Sequence, residues 1–160
     1  MTDKPVKVLF VCLGNICRSP SAEAVFIEKV KAAGLSDRFE IDSAGILSVH
    51  AGEPADARMR KHATARGYKL ESRSRPVTPR DFFDFDYIIG MDHANIRDLL
   101  DRAPDKQSQA KISLFLSFAP HLDREEVPDP YYGGAAGFEE VLDLCEEASE
   151  KLLAALQHEC

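Results

Sequence analysis

VKVLFVCLGNICRSPSAEAVFIEKVKAAG, Val6 to Gly34, is the stretch whose reading decides the fold. Val6 to Val11 is nearly continuous in apolar and β-branched residues, the pattern of a strand buried on both faces of a parallel sheet. A short loop, Cys12 to Ser19, follows at once. Ser19 is a good helix N-cap, Pro20 suits the first helical position, and Ala22, Val25, Phe26, Val30 and Ala33 form one apolar stripe that ends at Gly34. Strand, tight loop and helix together make the opening unit of an α/β fold.

Outward from this unit, strands are expected near Phe39–Ser43, at Tyr87–Met91 and at Ile112–Leu116, with helices near Ala55–Arg66 and His93–Asp101. A last helix runs from about Gly137. Phe138, Val141, Leu142, Cys145, Ala148, Leu152 and Leu156 repeat there at helical spacing, and Glu139, Glu140, Asp143, Glu146, Glu147 and Glu150 occupy the other face. Asp84 and Asp86 flank Phe85 as a turn and strand start. The alternation predicts one domain over residues 1–160, a three-layer α/β/α arrangement around a four-stranded parallel sheet. Ligand sites in such sheets lie at the carboxyl ends of the strands, which points to the loop after strand 1.

Composition is compatible with that architecture. The chain has 160 residues, 44% hydrophobic and 29% charged, close to a soluble domain's averages. A domain of this length buries roughly 68–70% of its unfolded surface, so neither disulfide nor metal is needed to hold it. No apolar run reaches the ~18 residues of a membrane span, and the N-terminus lacks a signal peptide's apolar core and cleavage site. The expectation is a cytoplasmic protein with reduced thiols, without a membrane partner, and a monomer or weak dimer.

The net charge of −7 argues against a nucleic-acid partner. It also hides an asymmetry, since residues 1–80 carry 14 Lys/Arg against 9 Asp/Glu and residues 81–160 carry 6 against 18. Within the first half, Arg58, Arg60, Lys61, Arg66, Lys69, Arg73, Arg75 and Arg80 are interrupted by a single acid, Glu71. That stretch reads as a solvated helix face followed by a loop.

The loop itself, Cys12-Leu13-Gly14-Asn15-Ile16-Cys17-Arg18-Ser19, is neither a Walker loop nor a GxGxxG fingerprint. Gly14 and Asn15 tolerate positive φ, so the backbone N–H groups of the loop can curl into an anion-binding nest. The following helix contributes its positive end, and Arg18 contributes a fork of donors matched to two phosphate oxygens. A thiol at the mouth of such a nest is expected to be a thiolate, because comparable helix-terminal sites bring Cys to a pKa of ~3.5–7.5. Cys12 is thus a candidate nucleophile beside a phosphate-sized cradle.

VCLGNICRSPSAE resembles the signature loop of the low-molecular-weight protein tyrosine phosphatases, C-x5-R-S with its flanking residues. Asp42 to Gly45 (DSAG), Phe85 to Asp92 (FDYIIGMD) with Asn95 and Arg97, and Val127 to Gly134 (VPDPYYGG) recur in the family's order and spacing. The resemblance implies attack of Cys12 on phosphotyrosine, a phosphocysteine intermediate, and Asp129 as general acid and then base, without a cofactor. It makes Leu13, Gly14, Asn15, Ile16, Cys17, Arg18 and Ser19 the phosphate-binding loop. In the same pattern Ser19 donates to the thiolate, Ser43 braces Asn15, and Asp92 positions Arg18. Asp92 is equally a helix N-cap by residue type, and Asp-Pro before a Gly pair is equally a turn.

Tyr131 and Tyr132 would wall the substrate cleft, although an exposed Tyr pair also suits phosphorylation. Val49 stands near a position where the family often carries an aromatic residue, which implies a wider cleft. Ser72 stands where vertebrate members carry His, so a link from that loop to the nest is not implied through it. Members with the same cysteine pair imply that Cys17 forms a reversible disulfide with Cys12; the residue alone reads as a buried thiol. Cys145 belongs to an apolar stripe, Cys160 is terminal, and the five His show no metal-ligand spacing, so no metal is expected. Two alternatives share the loop. A thioredoxin-coupled arsenate reductase needs two further cysteines near residues 72–90, where there are none, and a non-catalytic phosphoprotein-binding module would have lost Cys12 or Asp129.

Overall fold

Four parallel strands, β1 (Val6–Cys12), β2 (Phe39–Gly45), β3 (Tyr87–Gly90) and β4 (Ile112–Leu114), form one sheet in the order β2-β1-β3-β4. The structure, a computed structural model, describes residues 4–159, which leaves Cys160 outside the described residues. The helices are α1 (Arg18–Ala32), α2 (Ala57–Ala65), α3 (Asp81–Asp84), α4 (His93–Arg102), α5 (Lys106–Gln109) and α6 (Ala135–Leu156). Among the described residues no helix is long and apolar enough to cross a membrane.

β1 lies between β2 and β3, and its side chains alternate between two cores. Val8 and Phe10 join residues of α1, α2 and α6 on one face, and Leu9 and Val11 join Phe82 of α3 and Leu99 of α4 on the other. Three layers result, as the alternation of elements predicts. The Phe10 ring meets Phe26 and Phe115 edge-on at 5.8 and 5.2 Å; full burial of such a side chain contributes about 1.5–3 kcal/mol. Register then aligns the strand ends: Cys12 pairs with Gly45, and Val11 with Gly90. The β1–α1 loop therefore opens where the central strands stop.

Several boundaries differ from the sequence reading. Helix α1 begins at Arg18, its N-cap is Cys17, and no side chain caps it. Ser19 is inside the helix, because its hydroxyl is engaged by the loop rather than by the helix's own N–H groups. At the other end Gly34 adopts φ 72, with Gly34 N–H on Lys31 O and Leu35 N–H on Val30 O, a Schellman stop. β4 ends at Leu114 because Phe115 turns into the core against Phe10. Helix α6 starts two residues early, at Ala135. The four-residue helices α3 and α5 have no counterpart among the elements expected from the sequence, being too short to show a period.

Most of the basic stretch is solvated, with Arg58, Arg60, Lys61, Lys69, Arg73 and Arg80 exposed, but two of its arginines are not. Arg66 reaches Glu139, Asp143 and Glu146 on α6 at 2.7, 2.8 and 3.0 Å, and Arg75 lies between Asp42 and Asp81 at 3.0 and 2.9 Å. The basic surplus of the first half meets the acidic surplus of the second across the α2–α6 contact.

Candidate active site

Residues 13–17 link β1 to α1, and their peptide planes are fixed by where their carbonyls go. Leu13 O accepts from Leu47 N–H (2.9 Å), Ile16 O from Asp56 N–H (2.8 Å), and Cys17 O from Ser21 N–H (3.2 Å). Gly14 O accepts from Ser74 Oγ (3.0 Å). Among the described residues no protein acceptor takes the N–H groups of residues 13–17. Carbonyls bound outward and donors left unspent are what an anion-binding nest requires.

Asn15 holds the bend. Its φ is 57, and the αL conformation is one that Asn tolerates better than most residues. Its buried amide is fully used: Oδ1 accepts from Arg75 N–H (3.0 Å), and Nδ2 donates to Ser19 Oγ (2.7 Å) and Ser43 Oγ (3.0 Å). Ser19 Oγ, which accepts from Asn15, lies 3.0 Å from Cys12 Sγ and 3.5 Å from Ala44 O, so its own proton can serve either acceptor and serves Sγ once Cys12 is a thiolate. Ser43 Oγ donates to Glu23 Oε1 at 2.6 Å, and Ser72 lines the same groove as Glu23. Burial pushes the Glu23 carboxyl up, against the lowering effect of the Ser43 and Ser72 hydroxyls. The segment that contains residue 72 reaches the nest through its next residues, Ser74 Oγ on Gly14 O and Arg75 N–H on Asn15 Oδ1.

Gly45 closes the same corner: a Cβ there would lie 3.1 Å from Asn15 Cβ, Leu13 O and Leu47 O. Sequence reasoning placed Gly45 in a motif without this role, and it missed Glu23, Ser74 and Val127. Glu23 has no local signal, since it reads as an ordinary helical acid. Ser74 and Val127 act at a distance of more than 50 residues along the chain.

Arg18 is buried at the start of α1. Its Nη1 donates to Asp92 Oδ2 (2.6 Å) and Val127 O (3.0 Å), and its Nη2 lies 3.6 Å from Asp129 Oδ2. Burial alone would lower the guanidinium, but Cys12, Asp92 and Asp129 more than offset it and hold Arg18 above its ordinary value. Asp92 does both things its sequence context allows. It caps α4 through Asn95 N–H (2.8 Å) in a capping box, and it holds Arg18.

The two loop cysteines are chemically distinct. Burial, then Asp56, Cys12 and Asp129, push the Cys17 thiol well up, so it stays protonated. Burial does the same to Cys145.

Above the loop is a cleft of about 240 Å³ lined by Cys12, Leu13, Ile16, Arg18, Asp129, Tyr131 and others. Val49 is 69% exposed and Tyr132 94% exposed at its mouth, and Tyr131 and Tyr132 meet edge to face at 5.0 Å. Leu47 and His50, which the sequence did not single out, also line it. A larger groove of about 510 Å³, between α1 and residues 67–72, contains neither cysteine nor arginine. The cleft therefore gathers a thiol, an arginine, a carboxyl group and unspent backbone donors into a space fit for an aryl phosphate.

Comparison with known proteins agrees with this geometry. A family model described as low molecular weight phosphotyrosine protein phosphatase matches residues 7–160. A low molecular weight protein-tyrosine-phosphatase of Streptomyces coelicolor is 43% identical over 155 residues, 96% of this chain and 94% of that one. A crystal structure of a protein tyrosine phosphatase from Entamoeba histolytica, with Hepes in its active site, superposes with TM-score 0.93 at 49% identity, covering 96% and 98% of the two chains. YfkJ from Bacillus subtilis superposes with TM-score 0.91 at 41% identity, covering 98% and 97%.

Proposed function

This chain belongs to the low molecular weight phosphotyrosine protein phosphatases, hydrolases whose substrates are phosphoproteins, and on that premise we propose that Cys12, Arg18 and Asp129 carry the reaction. The observation that carries the reading is the convergence of Cys12, Arg18 and Asp129 on one cleft, above donors of residues 13–17 that no protein group takes. Cys12 Sγ attacks phosphorus in line while the bond to the tyrosyl oxygen breaks, and the proton of Asp129 goes to that leaving oxygen. Arg18 and the N–H groups of residues 13–19 stabilise the equatorial oxygens. In the second step the Asp129 carboxylate takes a proton from water, whose oxygen displaces Sγ from phosphorus and frees inorganic phosphate. Ser19, through its hydrogen bond to Sγ, favours the thiolate both as nucleophile and as leaving group.

Tyrosinate, whose conjugate acid has a pKa of ~10, needs that proton. Asp129→Ala is expected to lower kcat on a phosphotyrosine peptide by about 10²–10⁴-fold, and less on para-nitrophenyl phosphate, whose leaving group is a much weaker base. Equal losses on the two substrates would remove Asp129 from the acid role.

Val49 leaves the cleft open opposite Tyr131 and Tyr132. Val49→Trp supplies the missing aromatic face, and an aromatic pair contributes about 0.5–1.5 kcal/mol. The variant should therefore raise kcat/KM for a phosphotyrosine peptide relative to para-nitrophenyl phosphate by about 2- to 10-fold. A ratio identical to that of the wild type would show that Val49 does not set substrate preference.

Cys17 guards Cys12 in this reading. Peroxide oxidises the Cys12 thiolate to a sulfenic acid, and the Cys17 thiol condenses with it, releasing water and forming a disulfide that external thiols reduce. After peroxide and then dithiothreitol, Cys17→Ser is expected to recover less activity than wild type, and full recovery would sink the assignment. The same proposal takes residues 1–160 as one cytoplasmic domain, a monomer or weak dimer without nucleic-acid, membrane, metal or cofactor partners. The net charge of −7 and a chemistry that needs reduced thiols support it.

A further inference from the structure

The loop that presents Asp129, residues 128–134, is held at its tip by a residue the mechanism above does not use. Arg18 Nη2 lies 3.6 Å from Asp129 Oδ2 and Gly137 N–H donates to Gly134 O at 3.0 Å, but the hydrogen bond that reaches the tip of the loop is Arg58 Nη2 to Tyr131 O at 3.0 Å. Tyr131 N–H in turn donates to Asp129 Oδ1 at 3.1 Å. The guanidinium also lies over two rings, 5.4 Å from the centroid of Tyr131 and 4.9 Å from that of Phe138 at the start of α6. Its direction is set from below, because Asp56 accepts from Arg58 Nε (3.2 Å) and Nη2 (3.0 Å). Asp56 N–H, finally, donates to Ile16 O of the phosphate loop at 2.8 Å.

A continuous set of contacts therefore runs from Ile16 through Asp56 and Arg58 to Tyr131 and Asp129. We propose that Arg58 is a positioning residue for proton transfer, clamping the 128–134 loop to the phosphate loop so that the Asp129 carboxyl stands at the leaving-group side of the cleft. Arg58 suits this because a planar fork can hold a carboxylate and a carbonyl at once while stacking on rings, and an ammonium cannot do all three. The proposal rests on Asp129 being the general acid.

The test compares full-length wild type, Arg58→Ala, Arg58→Lys, Asp129→Asn and the Arg58→Ala/Asp129→Asn double variant on phenyl phosphate and para-nitrophenyl phosphate. Arg58→Ala should lower kcat on phenyl phosphate by about 10- to 100-fold, the scale of a misplaced catalytic group, and markedly less on para-nitrophenyl phosphate. Inhibition by inorganic phosphate should stay near wild type, because Asp56 keeps its own bond to Ile16 O of the phosphate loop. Arg58→Lys, which keeps the charge and loses the fork, should fall between, and it serves as the test if the Ala variant does not fold. In the double variant Arg58→Ala should add nothing to Asp129→Asn, the non-additivity of two residues acting as one unit.

Equal losses on the two substrates, an additive double variant, or no loss at all would overturn the proposal. If Asp129→Asn itself shows no leaving-group dependence, the acid assignment fails and takes the Arg58 role with it. If Asp129→Asn shows that dependence and Arg58→Ala does not, only the Arg58 role fails.

Discussion

Cys12→Ser is expected to lower kcat for para-nitrophenyl phosphate by on the order of 10⁵–10⁶-fold, the scale on which loss of a covalent nucleophile is felt. The physical reason is that a serine hydroxyl has to lose its proton as it attacks, and Asp129, the carboxyl in the same cleft, has to be protonated in that step to serve the leaving oxygen. Ser19 Oγ lies 3.0 Å from the Cys12 sulfur, but Asn15 Nδ2 already donates to that oxygen. A neutral serine hydroxyl is in any case far too weak a base to take that proton. The donors of residues 13–17, Arg18 and the cleft walls remain in place, so the variant should still bind a phosphotyrosine peptide with an affinity close to the wild-type KM. It should also melt near the wild-type temperature, since a hydroxyl replaces a thiol at the same hydrogen bond. Retention of binding with loss of turnover makes it a substrate trap. Turnover within about tenfold of wild type would instead place the nucleophile elsewhere and refute the phosphocysteine route.

How much of this site is legible in sequence depends on the distance over which each interaction acts. Val6 to Gly34 carries its own instructions: an apolar run, two residues that accept an αL bend, a helix with one apolar stripe and a glycine stop. Register then delivers Ser43 and Gly45 beside the loop, because β2 pairs with β1 along its whole length. The failures share one cause, a competition between local and distant partners. Ser19 has the residue type of an N-cap, yet its hydroxyl is taken by Asn15 and Cys12. Arg66 reads as solvated because its carboxylates lie far off in sequence on α6, and Arg75 because it is held between a distant acid, Asp42, and Asp81, six residues on. The part of Glu23 is invisible for the same reason, since its carboxyl meets Ser43 only once α1 is laid against β2.

Arg18 is where catalysis and folding share one side chain, and its substitution should separate them. Arg18→Lys keeps a positive charge but offers a single ammonium to Asp92, Val127 O and the phosphate, so kcat should fall by about 10³-fold or more, within the ~10³–10⁵ range of arginines that stabilise a transferring phosphoryl group. Arg18→Ala should be no more active and also unstable. It strands the Asp92 carboxylate, whose side chain is 22% exposed, and leaves Val127 O without the donor it has now. Removing one partner of a buried pair costs about 3–5 kcal/mol, and the partial exposure of Asp92 argues for the lower figure. For a chain of this size that corresponds to a drop in Tm of about 6–12 °C.

Adding Asp92→Asn to Arg18→Ala removes the stranded charge while keeping a residue type that caps α4 equally well. The double variant should regain much of the lost Tm and none of the lost activity, because the guanidinium that joins the backbone donors on the phosphate oxygens is still missing. If activity returned with Tm, Arg18 would be a folding residue that merely lies in the cleft. If neither returned, the Asp92 carboxylate would be held by contacts other than the Arg18 pair described above.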